Sequence, residues 1–166
     1  MRETSYQELL PKALEQLPGG AFLTVKAGDQ VNTMTIGWAS FGHIWSKPVC
    51  CVLVRYSRYT YELLEKAADF SVSFPLGGKL RQALHIAGST SGRDGDKFAR
   101  AAITPVPGIK IISPYVDDCD LVYECKIVYK LPMDENALEP MIQANLYRQG
   151  DYHVMYFGEI VGAYMK

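Results

Sequence analysis

Asn32-Thr33-Met34-Thr35-Ile36-Gly37-Trp38-Ala39-Ser40 decides the reading of this chain. It sits in a segment, Val31 to Phe41, that reads as one β-strand after a Gly28-Asp29 hairpin signal. On such a strand Met34, Ile36 and Trp38 project from one face, while Asn32, Thr33, Thr35 and Ser40 add polar atoms. A buried strand carries so many polar groups only when something satisfies them. A flat heteroaromatic ligand with ring carbonyls and nitrogens could do so, and so could backbone or water.

Working outward, Val49-Cys50-Cys51-Val52-Leu53-Val54 is a continuous apolar run after a proline. Its length suits a buried strand and is too short to span a membrane. Arg55 to Glu65 then reads as a polar turn followed by a helix over Tyr59–Ala68, with Ser57 or Thr60 as cap. Arg55 and Arg58 lie beside the free N–H groups of its first turn, which together suit a phosphate. An ordinary capped surface helix uses the same residues. A third segment, Ser89 to Phe98, is a polar glycine-containing loop leading into a short helix, Asp96 to Ala102, with Asp96 as cap and Arg93 and Lys97 as cations.

These segments resemble, in order and spacing, the flavin reductase-like family, which includes the flavoredoxins. The resemblance rests on Asn32-Thr33-Met34-Thr35 with Trp38, on Arg55 followed by Ser57-Arg58-Tyr59-Thr60, on Ser91-Gly92-Arg93 followed by Asp96-Lys97-Phe98, and on His153-Val154-Met155-Tyr156-Phe157-Gly158-Glu159. It runs from about Leu17 to Gly162, and Lys47 to Arg55 contributes least to it. It implies an antiparallel split β-barrel of the FMN-binding type, normally a homodimer with the flavin near the subunit interface. Asn32, Thr33, Met34, Thr35 and Trp38 would then meet the ring or its ribityl neighbourhood. Ser57, Arg58 and Thr60 would hold the phosphate with Lys97, and Arg55 would position either part. His153, sharing a strand face with Met155 and Phe157, would lie near the flavin or the incoming nicotinamide as a donor to the reduced ring. Read without the resemblance, it is as well a strand-start histidine facing water.

The remaining pattern is mainly β with peripheral helices. Strands are expected over Ala21–Lys26, Asp69–Phe74, Leu121–Leu131 and His153–Tyr164, with a short one within Val106–Pro114. Helices are expected over Gln7–Leu17, with Pro11 suited only to a first turn, and over Lys79–Ala87. The 166 residues suit a single domain spanning 1–166, large enough for a real core. This order of elements fits a closed or partly closed barrel.

Composition excludes several functions. A net charge of −1 gives no surface that seeks nucleic acid. Cys50 and Cys51 are adjacent, and Cys119 and Cys125 form no C-x-x-C, so reduced thiols are expected and no zinc site. Met1-Arg2-Glu3-Thr4-Ser5 lacks a signal-peptide core, and a cytoplasmic protein with no membrane contact is expected. There is no G-x-G-x-x-G, Thr90 stands where a nucleophile elbow needs serine, and Gly78-Lys79 lacks the rest of a P-loop. His43, His85 and His153 are not at metal-ligand spacing.

The absence of a catalytic dyad suits a flavoprotein, where the protein binds, orients and tunes the cofactor. The resemblance leaves two functions open. One is an oxidoreductase that takes hydride from NAD(P)H onto FMN and passes electrons to free flavin or an acceptor. The other is a flavoredoxin-type electron carrier with tightly held FMN that docks redox-protein partners. Haem or pyridoxal phosphate on the same barrel is a third reading, separable by the visible spectrum.

Overall fold

Ala21, Leu23 and Val25 are buried on one face of a strand whose Phe22 and Thr24 are buried on the other. A sheet with both faces covered follows from that one strand. A computed structural model describes residues 1–166. In chain order the elements are β1 (Arg2–Glu3), α1 (Tyr6–Gln16), β2 (Ala21–Ala27), β3 (Gln30–Ile36), β4 (Ala39–Ile44), β5 (Lys47–Arg55), α2 (Tyr59–Leu64) and β6 (Asp69–Phe74). They continue as α3 (Arg81–Ser89), α4 (Lys97–Ala101), β7 (Pro105–Val106), β8 (Tyr115–Val116), β9 (Leu121–Pro132), α5 (Pro140–Leu146) and β10 (His153–Met165). No helix is long and apolar enough to cross a membrane.

The main sheet runs β3-β2-β6-β9-β10-β5-β4, every adjacent pair antiparallel, with β1 added along β10. Its two end strands, β3 and β4, are neighbours in sequence, joined only by Gly37 and Trp38. Three residue steps reach at most about 11 Å. The sheet therefore curls until its ends nearly meet. It does not close by hydrogen bonds, because β3 and β4 do not pair. The architecture is a mainly antiparallel, split barrel with helices around it.

Inward side chains from six strands fill the barrel, among them Leu23, Met34, Ile36, Cys50, Val52, Phe70, Phe74, Tyr123 and Tyr156. A second core lies outside, where α3 and α4 pack Leu84, Ala87, Phe98 and Ala101 against Phe22 and Val116. The outer face of β6 is polar and is covered by the 109–116 loop. Asp69 accepts from the N–H groups of Ile112 and Ser113 at 3.0 and 2.9 Å, and Ser71 donates to the Pro114 carbonyl at 2.6 Å. The fully buried Glu124 on neighbouring β9 accepts from the N–H groups of Ile109 and Lys110. The four cysteines are free and buried.

Several expectations require correction. The single Val31–Phe41 strand is two strands at opposite ends of the sheet, and the break falls on Gly37-Trp38. Trp38 therefore leaves the face of Met34 and Ile36: those two are buried, and the indole is 41% exposed. α1 runs through Pro11, with Ser5 as cap and Leu9 and Ala13 anchored in the core, so burial outweighs the lost backbone bond. α2 stops at Leu64, and four residues on the Ala68 carbonyl accepts from Ile127 at the sheet. Its N-cap is Arg58, with no side-chain cap bond. α3 begins at Arg81, after Leu80 in the left-handed region, and the expected strand within Val106–Pro114 shrinks to the two-residue β7. α5 had no counterpart in the sequence reading.

Gly158 on β10 sits where a Cβ would lie 2.7 Å from both Cys125 Cβ and the Phe70 ring. Gly158→Ala is expected to cost about 1–3 kcal/mol by overpacking. Chemical denaturation measures this, and an unchanged midpoint would show that the barrel interior yields there.

Candidate functional site

Two clefts adjoin on one side of the split and share Met34, Arg55 and Arg58. The first, about 180 Å³, is walled by Trp38, Leu53, Ile36 and His153, with Thr35 and Gly37 at its edge. The second, about 240 Å³, is lined by Ser57, Tyr59, Thr60, Ser89, Thr90, Ser91, Arg93, Lys97 and Asp151. One is flat and aromatic; the other is rich in hydroxyls and cations.

The cations of the second cleft are held by backbone carbonyls. Arg58 Nη1 donates to the Gly88 carbonyl at 2.8 Å, and Lys97 Nζ donates to the Ala87 carbonyl at 2.8 Å. Both carbonyls lie in the last turn of α3, where the helix presents its negative end. Lys97 is only 4% exposed, and no carboxylate pairs with it. Burial, and then the Arg58 guanidinium, push its ammonium down to about 8. A buried ammonium with one carbonyl partner is costly unless an anion completes its surroundings. Arg93 is tied to Glu62 and lies 5.3 Å from the centre of the Tyr59 ring.

The first cleft is shaped by His153 at the start of β10. Its ring centre is 5.2 Å from that of Trp38, and its Nδ1 is 2.7 Å from the Tyr147 hydroxyl. Burial first, then Arg55, push the imidazole down to about 4. His153 is neutral at physiological pH. Arg55 faces the same cleft from paired β5 but is engaged on its far side. It donates to the Asp151 carbonyl at 2.6 Å and the Leu146 carbonyl at 3.1 Å, and lies 4.9 Å from the centre of the Tyr147 ring.

The sequence-predicted residues divide cleanly. Met34, Thr35, Trp38, Arg55, Ser57, Arg58, Thr60, Lys97 and His153 line the clefts. Asn32 and Thr33 do not. Asn32 is buried, its Nδ2 donating to Thr60 Oγ1 at 2.8 Å, and its side-chain oxygen Oδ1 lies where a Cβ on Gly92 would go. It shapes the Ser91-Gly92 turn from beneath. Thr33 lies on the outer face, donating to the Leu23 carbonyl and accepting from Thr24. Thr35 Oγ1 donates to the Leu84 carbonyl at 2.6 Å. Ser57 is engaged by Asp151, whose carboxylate accepts from its N–H at 3.0 Å and its hydroxyl at 2.6 Å. The sequence reading missed Asp151 and Tyr147, which come from a stretch with no usable periodicity. Arg93 and Ser91 were visible in the third segment but not selected.

Residues 17–166 match the flavin reductase like domain family model. The chain belongs to the flavin reductase-like family. Among solved structures it is similar to flavoredoxin from Methanosarcina acetivorans, at 25% identity over 89% of this chain and 68% of that one, with a TM-score of 0.70. It shares its fold with an FMN-binding domain of a flavin reductases-like enzyme from Shewanella baltica, at 21% identity, covering 99% and 76% of the two chains, TM-score 0.69. It also shares it with an NADH:FAD oxidoreductase from Streptomyces globisporus, at 18% identity, 100% and 88% coverage, TM-score 0.64.

Lys97 gives a pH signature. Its ammonium sits near 8 in the fold against an ordinary 10.5. Between those values the unfolded chain binds more protons, so stability rises with pH. The wild type is expected to gain on Lys97→Met as pH rises from about 8 to 10.5, and to change little against it below about 8. Denaturant titrations across that range measure it; parallel profiles would show that Lys97 is not desolvated.

Proposed function

We propose that this chain binds FMN in the two clefts and acts as an NAD(P)H-dependent flavoprotein oxidoreductase. The observation that carries this reading is the buried Lys97 beside Arg58 in a hydroxyl-lined cleft, continuous with a flat cleft walled by Trp38, Leu53 and His153. The donor set fits the cofactor. Arg58 and Lys97 would hold a phosphate dianion, with Ser91 and Thr60 nearby and Arg93 at the rim. Trp38, Met34 and Leu53 would bound the ring, and His153 would stand at its polar edge. When bound, the flavin supplies hydride acceptance from NAD(P)H and delivery of electrons to free flavin or another acceptor. The chain's own part is to bind and orient the ring and to exclude water from one of its faces. Buried free thiols suit a cytoplasmic location.

A second reading is supported by the likeness to a flavoredoxin at 25% identity. There the FMN stays bound, a redox protein is the partner, and nicotinamide activity is small. Flavin retention on purification and steady-state NADH oxidation separate the two.

The same reading includes a homodimer. Most aromatics of the last segments are used inside the chain, since Tyr147, Tyr156 and Tyr164 are buried. Phe157 instead joins Tyr129 and Trp45 in a cluster with ring centres 5.6–6.1 Å apart, and Trp45 and Tyr129 are exposed. Phe157 pairs with Cys51 and Met155 with Leu53, so this face runs on to the wall of the flat cleft. An isologous partner would cover it. Light scattering is expected to give twice 18.5 kDa, with FMN affinity falling on dissociation; a monomer with full flavin occupancy contradicts the dimer.

Titration with FMN, followed by fluorescence quenching, tests the cofactor directly. One equivalent per chain is expected, and no quenching overturns the reading. Arg58→Ala should weaken FMN by about 10- to 100-fold, from a charge-assisted bond of about 1.5–3 kcal/mol. Riboflavin, which lacks the phosphate, should lose far less. Equal losses would remove Arg58 from the phosphate.

A further inference from the structure

Tyr147 follows α5 directly and is buried, 4% exposed. Tyr152 stacks on its ring with centres 5.0 Å apart, and Arg55 lies against the ring as well. Its hydroxyl has one partner, His153 Nδ1, at 2.7 Å. Burial pushes the phenol up from its ordinary value of 10, so it keeps its proton. If Nδ1 carried a hydrogen and donated to Tyr147, the phenolic proton would be buried with nothing to accept it. A buried hydroxyl proton left without an acceptor carries the full cost of an unmade hydrogen bond. Tyr147 therefore donates, and Nδ1 accepts. A neutral imidazole that accepts at Nδ1 carries its hydrogen at Nε2.

Nε2 makes no hydrogen bond within the chain, and yet no buried polar atom is unpartnered. Nε2 is thus accessible, on a ring that lines the flat cleft with Trp38 and Leu53. The charges around it are Arg55 and Arg58, which oppose an imidazolium, and Asp151, which favours one. Burial and the two guanidiniums prevail. The neutral form persists across the physiological range.

We propose that Tyr147 is a positioning residue that locks His153 as the Nε2–H tautomer, giving the flat cleft a fixed neutral donor for a carbonyl oxygen or anionic nitrogen of its ligand. This rests on the reading of that cleft as the flavin-ring site. It makes His153 a dipole and not a charge in the cleft, so binding there needs no proton uptake at this residue.

Long-range proton–nitrogen NMR of ¹⁵N-histidine-labelled protein without flavin reads the tautomer. His153 is expected as Nε2–H, unchanged from about pH 5.5 to 8. An Nδ1–H tautomer, or titration near about 6.5, overturns the inference. Tyr147→Phe is expected to bring in the second tautomer and to shift the midpoint potential of bound FMN to more negative values, at unchanged FMN stoichiometry. A potential and a tautomer both unmoved overturn the positioning role. Should the variant not fold, the wild-type spectrum still decides the tautomer. FMN uptake with an Nδ1–H histidine sinks the inference alone. A locked Nε2–H histidine in a protein that takes no FMN leaves Tyr147's role standing and sinks the flavin reading.

Discussion

Gly37 and Trp38 are the constraint on which the rest of this structure depends. They join the first and last strands of the seven-strand path β3-β2-β6-β9-β10-β5-β4. A link so short leaves the sheet no choice but to curl. It also leaves a seam, because β3 and β4 do not exchange hydrogen bonds. The flat cleft lies along that seam, with Ile36 and Gly37 at its edge and Trp38 beside His153. The indole is exposed for the same reason: a residue in a link between sheet ends has no sheet face to occupy.

The second organising element is the C-terminal turn of α3. Consecutive carbonyls, Ala87 and Gly88, each accept from a cation that comes from elsewhere in the chain. The helix end offsets part of the cost of bringing Lys97 and Arg58 together. It also fixes where their remaining donors sit before any ligand arrives. Donors held in advance spend no reorganisation on binding. Gly92 completes this arrangement, since Asn32 and Tyr59 leave no room for a side chain there.

Much of this was legible in the sequence, and what was not has physical causes. β2, β5, β6, β9 and β10 announce themselves by apolar alternation or by apolar runs that end at turn residues. Arg58, Lys97, Trp38 and His153 were found because they stand in an ordered set of segments, not because any one residue is distinctive. Carrying alternation through Gly37 misplaced Trp38; Asn32 and Thr33 were assigned to the clefts with the motif that contains them, and Thr60 and Thr24 are pairing partners that only tertiary contact supplies. α5 left no signal. It is a single short helix with Met141, Ile142 and Leu146 exposed, held by the Glu139 cap and by Arg55 at its end. Tyr147 and Asp151 were lost with it.

Arg55 ties the carbonyls of Leu146 and Asp151 with one guanidinium. The span between them contains Gly150 and Asp151, both in the left-handed region, and Tyr147. One side chain thus closes a small loop at both ends, and the ordering entropy of that loop is met at a single point. The loop carries the phenol against His153 at one end and the carboxylate against Ser57 at the other. Wall shape, histidine orientation and local charge are therefore inherited together through Arg55, and a lineage that replaced this arginine would have to rebuild all three at once.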